Sequence, residues 1–235
     1  MRVLAIDTAT TALVTGVVDT VTGQTTGRLL EDTRAHNELL IPTITEVLAE
    51  AGMEYSDLDA VVTGVGPGPF TGLRVGMATA SALADALSIP LHGICTHDAI
   101  AAAAELDVDP VAAAEEATAL VATDARRKEI YWATYRATDS GVQRISGPAV
   151  TKPAELEVEL ASTAEVIIPD RLAGQLPERF AALPHRAAHP TASALVAAAD
   201  LEAEPAPVVP LYLRRPDAVP PKQQQLSAAI PKVEL

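Results

Sequence analysis

Cysteine is nearly absent: Cys95 is the only one in 235 residues. An internal disulfide is excluded, and a reducing, cytoplasmic setting is expected. Cys95 closes an apolar stretch, residues 91–95, which predicts a buried core thiol rather than a nucleophile. Aromatic residues make up 3% of the chain, so a core has to be built from Ala, Val, Leu and Ile. Basic residues are also short, 17 Lys and Arg against 31 Asp and Glu, giving a net charge of −14. A field of that sign repels phosphate backbones, so nucleic acid is expected to meet a partner's surface rather than this one. No apolar run reaches the length of a membrane span, and Met1-Arg2-Val3 leads straight into strand-like sequence, so neither an anchor nor a secretory leader is expected. The five histidines, His36, His92, His97, His185 and His189, show no His-Glu-x-x-His or paired Cys/His spacing. A Gly-x-Ser-x-Gly elbow is missing as well.

What the chain does hold is 49% hydrophobic residues at a mean hydropathy of +0.20, enough for a substantial core. Its most distinctive stretch is residues 60–86, AVVTGVGPGPFTGLRVGMATASALADA. Ala60-Val61-Val62, bounded by Gly64 and Gly66, reads as a buried strand. Residues 64–69 then form a loop in which Gly64, Gly66 and Gly68 permit unusual backbone angles and Pro67 and Pro69 stiffen the chain. Thr71 is expected to cap the next helix, along which Gly72, Gly76, Ala80 and Ala84 fall on one small-residue face, flanked by Leu73, Met77, Leu83 and Leu87. A glycine loop opening a helix is one way to cradle a phosphate. Neither a P-loop nor a dinucleotide fingerprint is present, however, and the spacing favours a tight turn that lets the helix lie close against a neighbour.

In chain order, residues 2–7 read as a strand ending in Asp7, residues 12–19 and 24–30 as two more strands, and residues 34–52 as a helix containing Pro42. That helix carries Leu40, Ile44, Val47, Leu48 and Ala51 on one stripe and ends at Gly52. Its early His36 and Asn37 read more readily as surface or capping groups than as ligands. Asp7 with Thr8 and Thr10 suits either a metal-bound phosphate or a turn in which the carboxylate accepts bonds from its own neighbours. A strand at 91–95 and an alanine-rich helix at 98–106 follow, and the acidic segment 107–116 marks the passage between lobes. Residues 120–135, LVATDARRKEIYWATY, then lie over residues 3–18, VLAIDTATTALVTGVV, without a gap and with Asp124 on Asp7. The repeat predicts two lobes, 1–106 and 107–235. The second has a helix signal near 153–160, a strand at 166–168, a helix at about 190–201 and a proline-rich tail in which Arg214 and Arg215 are expected to pair with acids.

AIDTAT near the start, GVGPGPFTGLRVG in the middle, ATDARRKEIYWATY after it and PLYLRRPDA near the end come in the order of the TsaB (YeaZ) family, which the chain resembles over nearly its whole length. That family is the dimerisation subunit of the bacterial tRNA N6-threonylcarbamoyladenosine-37 machinery. The resemblance implies an α/β, actin-like ATPase (ribonuclease H-like) fold of two lobes with duplicated topology, mixed sheets flanked by helices. It implies an accessory, non-catalytic subunit that binds a catalytic, TsaD-like paralogue as a heterodimer and works with a P-loop ATPase, TsaE-like. Alone, the chain is expected to form a homodimer; tRNA is met only through the complex, and no membrane is involved. No metal and no cofactor are implied beyond weak ATP or ADP binding, mainly at the complex interface.

The paralogue carries a His-x-x-x-His metal motif, and at the matching places this chain has Thr96 and Ile100, with His97 one position off. The partner is expected on a four-helix bundle whose half here comprises His36, Leu40, Ile44, Val47, Leu48, Gly72, Arg74, Gly76, Met77, Ala80 and Leu83. Replacing Gly76 with Leu is expected to abolish that complex and leave the fold intact. The loops that face nucleotide in related enzymes are represented by Asp7, Thr8, Thr10, Gly66, Gly68, Asp124 and Arg126, read as vestigial. Two other functions compete with this one: an actin-fold ATPase or phosphotransferase in its own right, and a peptidase acting on the catalytic partner. No adenosine-pocket signature supports the first and no nucleophile–base pair supports the second.

Overall fold

A computed structural model describes residues 1–106, 119–139, 141–160 and 164–214. The proposed passage at 107–116, together with Arg215 and the tail beyond it, lies outside the described residues. The chain opens with three antiparallel strands, β1 (Arg2–Asp7), β2 (Leu13–Asp19) and β3 (Thr25–Leu30). A first helix, α1 (His36–Glu50), leads to β4 (Ala60–Gly64), and a second, α2 (Phe70–Leu87), to β5 (Leu91–Ile94). Both later strands run parallel to β1, so the sheet order is β3-β2-β1-β4-β5. Strands β1 and β4 are apolar and buried on both faces because helices cover the sheet on both sides.

After α3 (Thr96–Ala103) the pattern repeats. Strands β6 (Ala119–Asp124), β7 (Ile130–Thr138) and β8 (Gly141–Thr151) are antiparallel, and β9 (Glu165–Ile167) and β10 (His185–Arg186) add in parallel. The order β10-β9-β6-β7-β8 is that of the first sheet, with β6 in the place of β1. Two ribonuclease-H-like sheets in one chain make the actin-like, duplicated fold that the resemblance implied. The expected helix near 153–160 is only a 3-10 turn, Pro153–Glu155, and between β9 and β10 stand the single turns α4 (Asp170–Ala173) and α5 (Glu178–Ala181). The helix expected at 190–201 is the shorter α6 (Ala192–Ala197), whose cap Thr191 accepts the Ala194 N–H at 3.1 Å.

Four buried clusters define the layers. Leu40, Ile44, Val47 and Leu48 of α1 and Ala80 and Ala84 of α2 close over Leu4, Ile6, Leu13 and Val61 on the outer face of the first sheet. On its inner face Ala99 of α3 and Ala192, Leu195 and Val196 of α6 meet Val3, Ala5, Val14 and Val62. The other side of α3, with Ile100, Ala101 and Ala104, packs on Val121, Ala133 and Tyr135 of the second sheet. An alanine-rich helix fits between two sheets because its side chains add little width. Residues 208–214 return across both lobes: Leu211 N–H donates to the Val65 carbonyl at 2.8 Å, and Arg214 reaches the Ala125 carbonyl at 2.8 Å and Glu129 at 2.6 Å. The expected pairing of Arg214 with an acid is thus seen.

Candidate functional site: the cleft between the lobes and the helix pair beside it

The turns that follow β1 and β6 line one cleft, through Thr10 and Thr11 in the first lobe and Arg126 in the second, the kind of place where open parallel sheets put their functional groups. Asp7 is the last residue of β1, and it is fully buried. Its Oδ1 accepts the Ala9 N–H at 2.8 Å and its Oδ2 the Thr96 hydroxyl at 2.7 Å. A Cβ on Gly64 would occupy the place of that Oδ2. Burial, opposed by these two hydrogen bonds, pushes the Asp7 pKa up to about 6. The carboxylate is therefore enclosed by protein and has no open side toward a ligand.

The rest of the β1–β2 turn is also occupied. Thr8 is 2% exposed and its hydroxyl donates to the Gly72 carbonyl at 2.7 Å. A Cβ on Gly72 would come to 2.5 Å from the Thr8 carbonyl oxygen, and Cβ atoms on Gly68 and Gly76 would overlap Ala9 and the Thr8 hydroxyl. The glycine loop, with Gly66 at φ +97°, wraps this turn instead of an anion. The tight-turn reading is the one the geometry fits, and the neighbour is the chain's own β1–β2 turn. Of the seven residues assigned to nucleotide-facing loops, Asp7, Thr8, Gly66 and Gly68 are corrected to the interior, and Thr10, Asp124 and Arg126 line the open cleft. The expected Thr71 cap is absent too: α2 starts on Pro69, whose fixed φ suits a helix entry, and no side chain caps it.

That cleft encloses about 880 Å³ between the start of α1 and the β6–β7 turn. Asp124, the counterpart of Asp7, holds the Arg126 N–H at 2.6 Å and the Arg171 guanidinium at 2.6 Å. Arg34, Arg171 and Asp32 also line the cleft, and sequence reasoning missed them because Asp32 and Arg34 precede α1 whereas Arg171 comes from the second lobe, with no motif to join them. Among the described residues no group of three His, Cys, Asp or Glu is placed to hold a metal. Where the paralogue has its two histidines, Thr96 donates to Asp7 and Ile100 is 1% exposed in the core. His97 turns to the second lobe, its Nε2 2.8 Å from the Thr123 hydroxyl, and burial lowers its pKa to about 3. Cys95 is buried, and its thiol pKa is pushed up to about 11, which leaves it protonated and unreactive.

The helix pair requires the larger correction. Leu40, Ile44, Val47, Leu48, Gly76 and Ala80, all assigned to the partner face, are buried on this chain's own sheet, and Gly72 is fitted against Thr8. The apolar stripe and the small-residue stripe are what seat α1 and α2 on the sheet, so a partner cannot use the same faces. His36, Met77 and Leu83 are half-buried, and Arg74 is exposed, with its Nε donating to the Tyr212 hydroxyl at 2.8 Å. The Gly76→Leu expectation is corrected with them, because a leucine there would collide with Thr8 and disturb the fold. On α1 the outward apolar residues are Leu39 and Ile41, 36% and 46% exposed, which the sequence reading missed. Their signal was available: they stand one place either side of Leu40 and so fall off the buried stripe.

A duplicated ribonuclease-H-like chain with an enclosed aspartate and two long helices on one outer face is a member of the actin-like ATPase group by fold. Residues 31–212 match the family described as TsaD, tRNA N6-adenosine threonylcarbamoyltransferase. The tRNA threonylcarbamoyladenosine biosynthesis protein TsaB of Escherichia coli is 34% identical over 142 residues, 60% of this chain and 58% of that protein. The solved YeaZ of Pseudomonas aeruginosa superimposes with a TM-score of 0.70 at 25% identity, over 90% of this chain and 99% of that one. The chain therefore belongs to the TsaD-type family, on its TsaB (YeaZ) side. An uncharacterised protein of Mycobacterium leprae is 47% identical over 227 residues, 93% of this chain, and this chain spans 56% of that relative's length. Among the described residues no helix is long and apolar enough to cross a membrane.

Proposed function

We propose that this chain takes part in tRNA threonylcarbamoyladenosine biosynthesis as a cytoplasmic, non-catalytic subunit that docks on and activates a TsaD-like catalytic relative. The observation that carries this reading is the contrast between the enclosed Asp7 and the open outer surface of α1 and α2. The relatives' names supply the pathway. The partner meets the outward residues of the pair, centred on Leu39 and Ile41, while the inward stripe stays with the sheet. The same surface can pair with itself, giving a homodimer when the partner is missing, and tRNA and a TsaE-like ATPase join through the complex. The competing ATPase reading is weakened by Asp7, whose oxygens are both engaged within the chain.

The test is co-expression with the catalytic relative, followed by co-purification and a threonylcarbamoylation assay. The double variant Leu39→Asp, Ile41→Asp is expected to weaken the complex roughly a hundredfold while its unfolding midpoint stays near wild type, because both side chains are exposed. A complex that forms unchanged with this variant overturns the assigned surface. Full tRNA modification without this chain overturns the activating role.

A further inference from the structure

The first sheet has two edges, and they are finished differently. At one, β3 carries mostly exposed side chains, with Arg28 paired to Glu50. The other edge is β5. Val61 N–H donates to the Pro90 carbonyl at 2.9 Å and Val65 N–H to the Ile94 carbonyl at 2.8 Å. Bonds to β4 therefore fall on alternate residues, and the amides and carbonyls of Leu91 and Gly93 point away from the sheet. Gly93 is exposed, and among the described residues nothing beyond the sheet bonds the backbone of either residue. An open strand edge is a template for another strand.

Residues 203–209 run beside this edge without pairing to it. Pro205, Pro207 and Pro210 remove amide donors from that stretch, and the chain bonds the first sheet again only where Leu211 meets Val65. A cavity of about 290 Å³ is left between the segment and β5. A Cβ on Gly93 would face Val65 and Val208, so that side of the strand is apolar. His92 turns to the opposite side, 7% exposed, and its Nε2 has no partner. Asp200 and Glu204 add two carboxylates to the lining, whereas no Lys or Arg is present there. Asp200 Oδ1 accepts the Glu202 and Ala203 N–H groups at 3.2 Å, and Glu204 has no hydrogen-bond or ion-pair partner among the described residues. These groups are not placed to hold a metal ion. In a chain of net charge −14 they favour a basic side chain carried on an extended backbone.

We propose that the β5 edge is a docking site for an extended segment of another protein in which apolar and basic side chains alternate. The segment adds to the five-stranded sheet as a further strand, its backbone bonding Leu91 and Gly93. Its basic side chains meet Asp200 and Glu204, and its apolar ones meet Val65 and Val208. The edge is apart from the cleft between the lobes and from Leu39 and Ile41, so this site stands whether or not the docking proposal for α1 and α2 holds.

The experiment is isothermal titration of the full chain at low ionic strength with a capped hexapeptide of alternating valine and lysine. Saturable binding below roughly 1 mM is expected. The same peptide with glutamate in place of lysine, and one with every backbone nitrogen methylated, should not bind measurably. Asp200→Asn keeps an acceptor for its own turn, and combined with Glu204→Gln it should weaken binding roughly tenfold. Glu202→Gln, whose side chain is outside the cavity lining, should leave it within about twofold. Hydrogen exchange should show the peptide protecting the Leu91 and Gly93 amides and not those of β3. Absence of saturable binding overturns the proposal, as does unchanged binding of the methylated peptide or equal loss in Glu202→Gln. Protection gained on β3 overturns it too. So does a dimer of the free chain in which Leu91 and Gly93 are already protected, because a second copy would then occupy the edge.

Discussion

The first sheet carries α1 and α2, 15 and 18 residues long, across its outer face. At the equivalent crossings of the second sheet, among the described residues, stand a three-residue 3-10 turn and two four-residue helices. The sheets agree strand for strand, and the coverings do not. A single helical turn is barely stable without tertiary support, so α4 and α5 serve mainly to bring Leu172, Leu176 and Phe180 onto the second sheet. Helices of four and five turns have a second side left over after one face is buried. The comparison teaches that the duplicated frame sets the architecture, and that among the described residues the first lobe is the one with helix surface left over, on which the docking proposal rests.

The largest test of this contrast lies in how closely each covering sits. Gly76→Leu in α2 is expected to destabilise the chain by about 3 kcal/mol, because the added side chain overlaps Thr8 and must move β1 or the helix. Gly174→Ala, just beyond α4, meets nothing within 4 Å and has a φ of −70°, so it should change stability by about 0.5 kcal/mol or less. Urea unfolding of both variants reads the difference. Equal midpoints would mean that α2 is seated no more tightly than the short turns.

A second contrast, smaller in effect, sets two buried titrating groups against each other. Asp7 has a folded pKa of about 6 against an ordinary 3.8, so the folded chain keeps a proton that the unfolded chain has lost. Its contribution to stability therefore falls as pH rises from about 4 to 6. His97 has a folded pKa of about 3 against 6.5, so the unfolded chain takes up a proton that the fold excludes. Stability from His97 falls as pH drops from about 6.5 to 3. Between pH 4 and 6 the two oppose each other. Asp7→Asn should gain about 2 kcal/mol at pH 7 and then lose stability on acidification more steeply than wild type. His97→Gln should show the reverse, gaining stability as the solution is acidified. Parallel pH profiles for the two variants would contradict the burial of one of these groups.

The sequence made the frame legible where the signal is periodic. The gapless match of residues 120–135 to residues 3–18 located β6 and β7, because strand–turn–strand units repeat their apolar pattern when they repeat their topology. Direction was harder. An apolar stripe on α1 and a small-residue stripe on α2 show that each helix buries a face, yet nothing in the spacing says whether a sheet or a partner lies against it. Leu40, Ile44 and Gly76 were assigned outward for that reason. Two of the cleft arginines were hidden for another: Arg34 and Arg171 belong to separate segments and come to the cleft beside Arg126 only after both sheets form. The fate of Asp7 depended on Gly64 and Thr96, distant residues whose role is to leave space and to donate one hydrogen bond.

The last contrast is between the twin aspartates. Both end the first strand of a sheet, but Asp7 is enclosed whereas Asp124 bonds Arg171 with side chains 34% and 50% exposed. Water can replace most of what such a pair provides, and salt screens the remainder. Asp124→Asn keeps an oxygen for the Arg126 N–H and loses only the charge opposite Arg171. It should cost about 0.5 kcal/mol at low ionic strength and close to nothing in about 1 M salt, as read by thermal unfolding. A loss above about 2 kcal/mol that survives salt would place Asp124 in the same sealed setting as Asp7 and remove the asymmetry between the lobes. The asymmetry has a direct cause in the chain: β4 runs into Gly64 and the loop that wraps the Asp7 turn, whereas β9 runs into Pro169 and Arg171, which leave Asp124 facing the cleft.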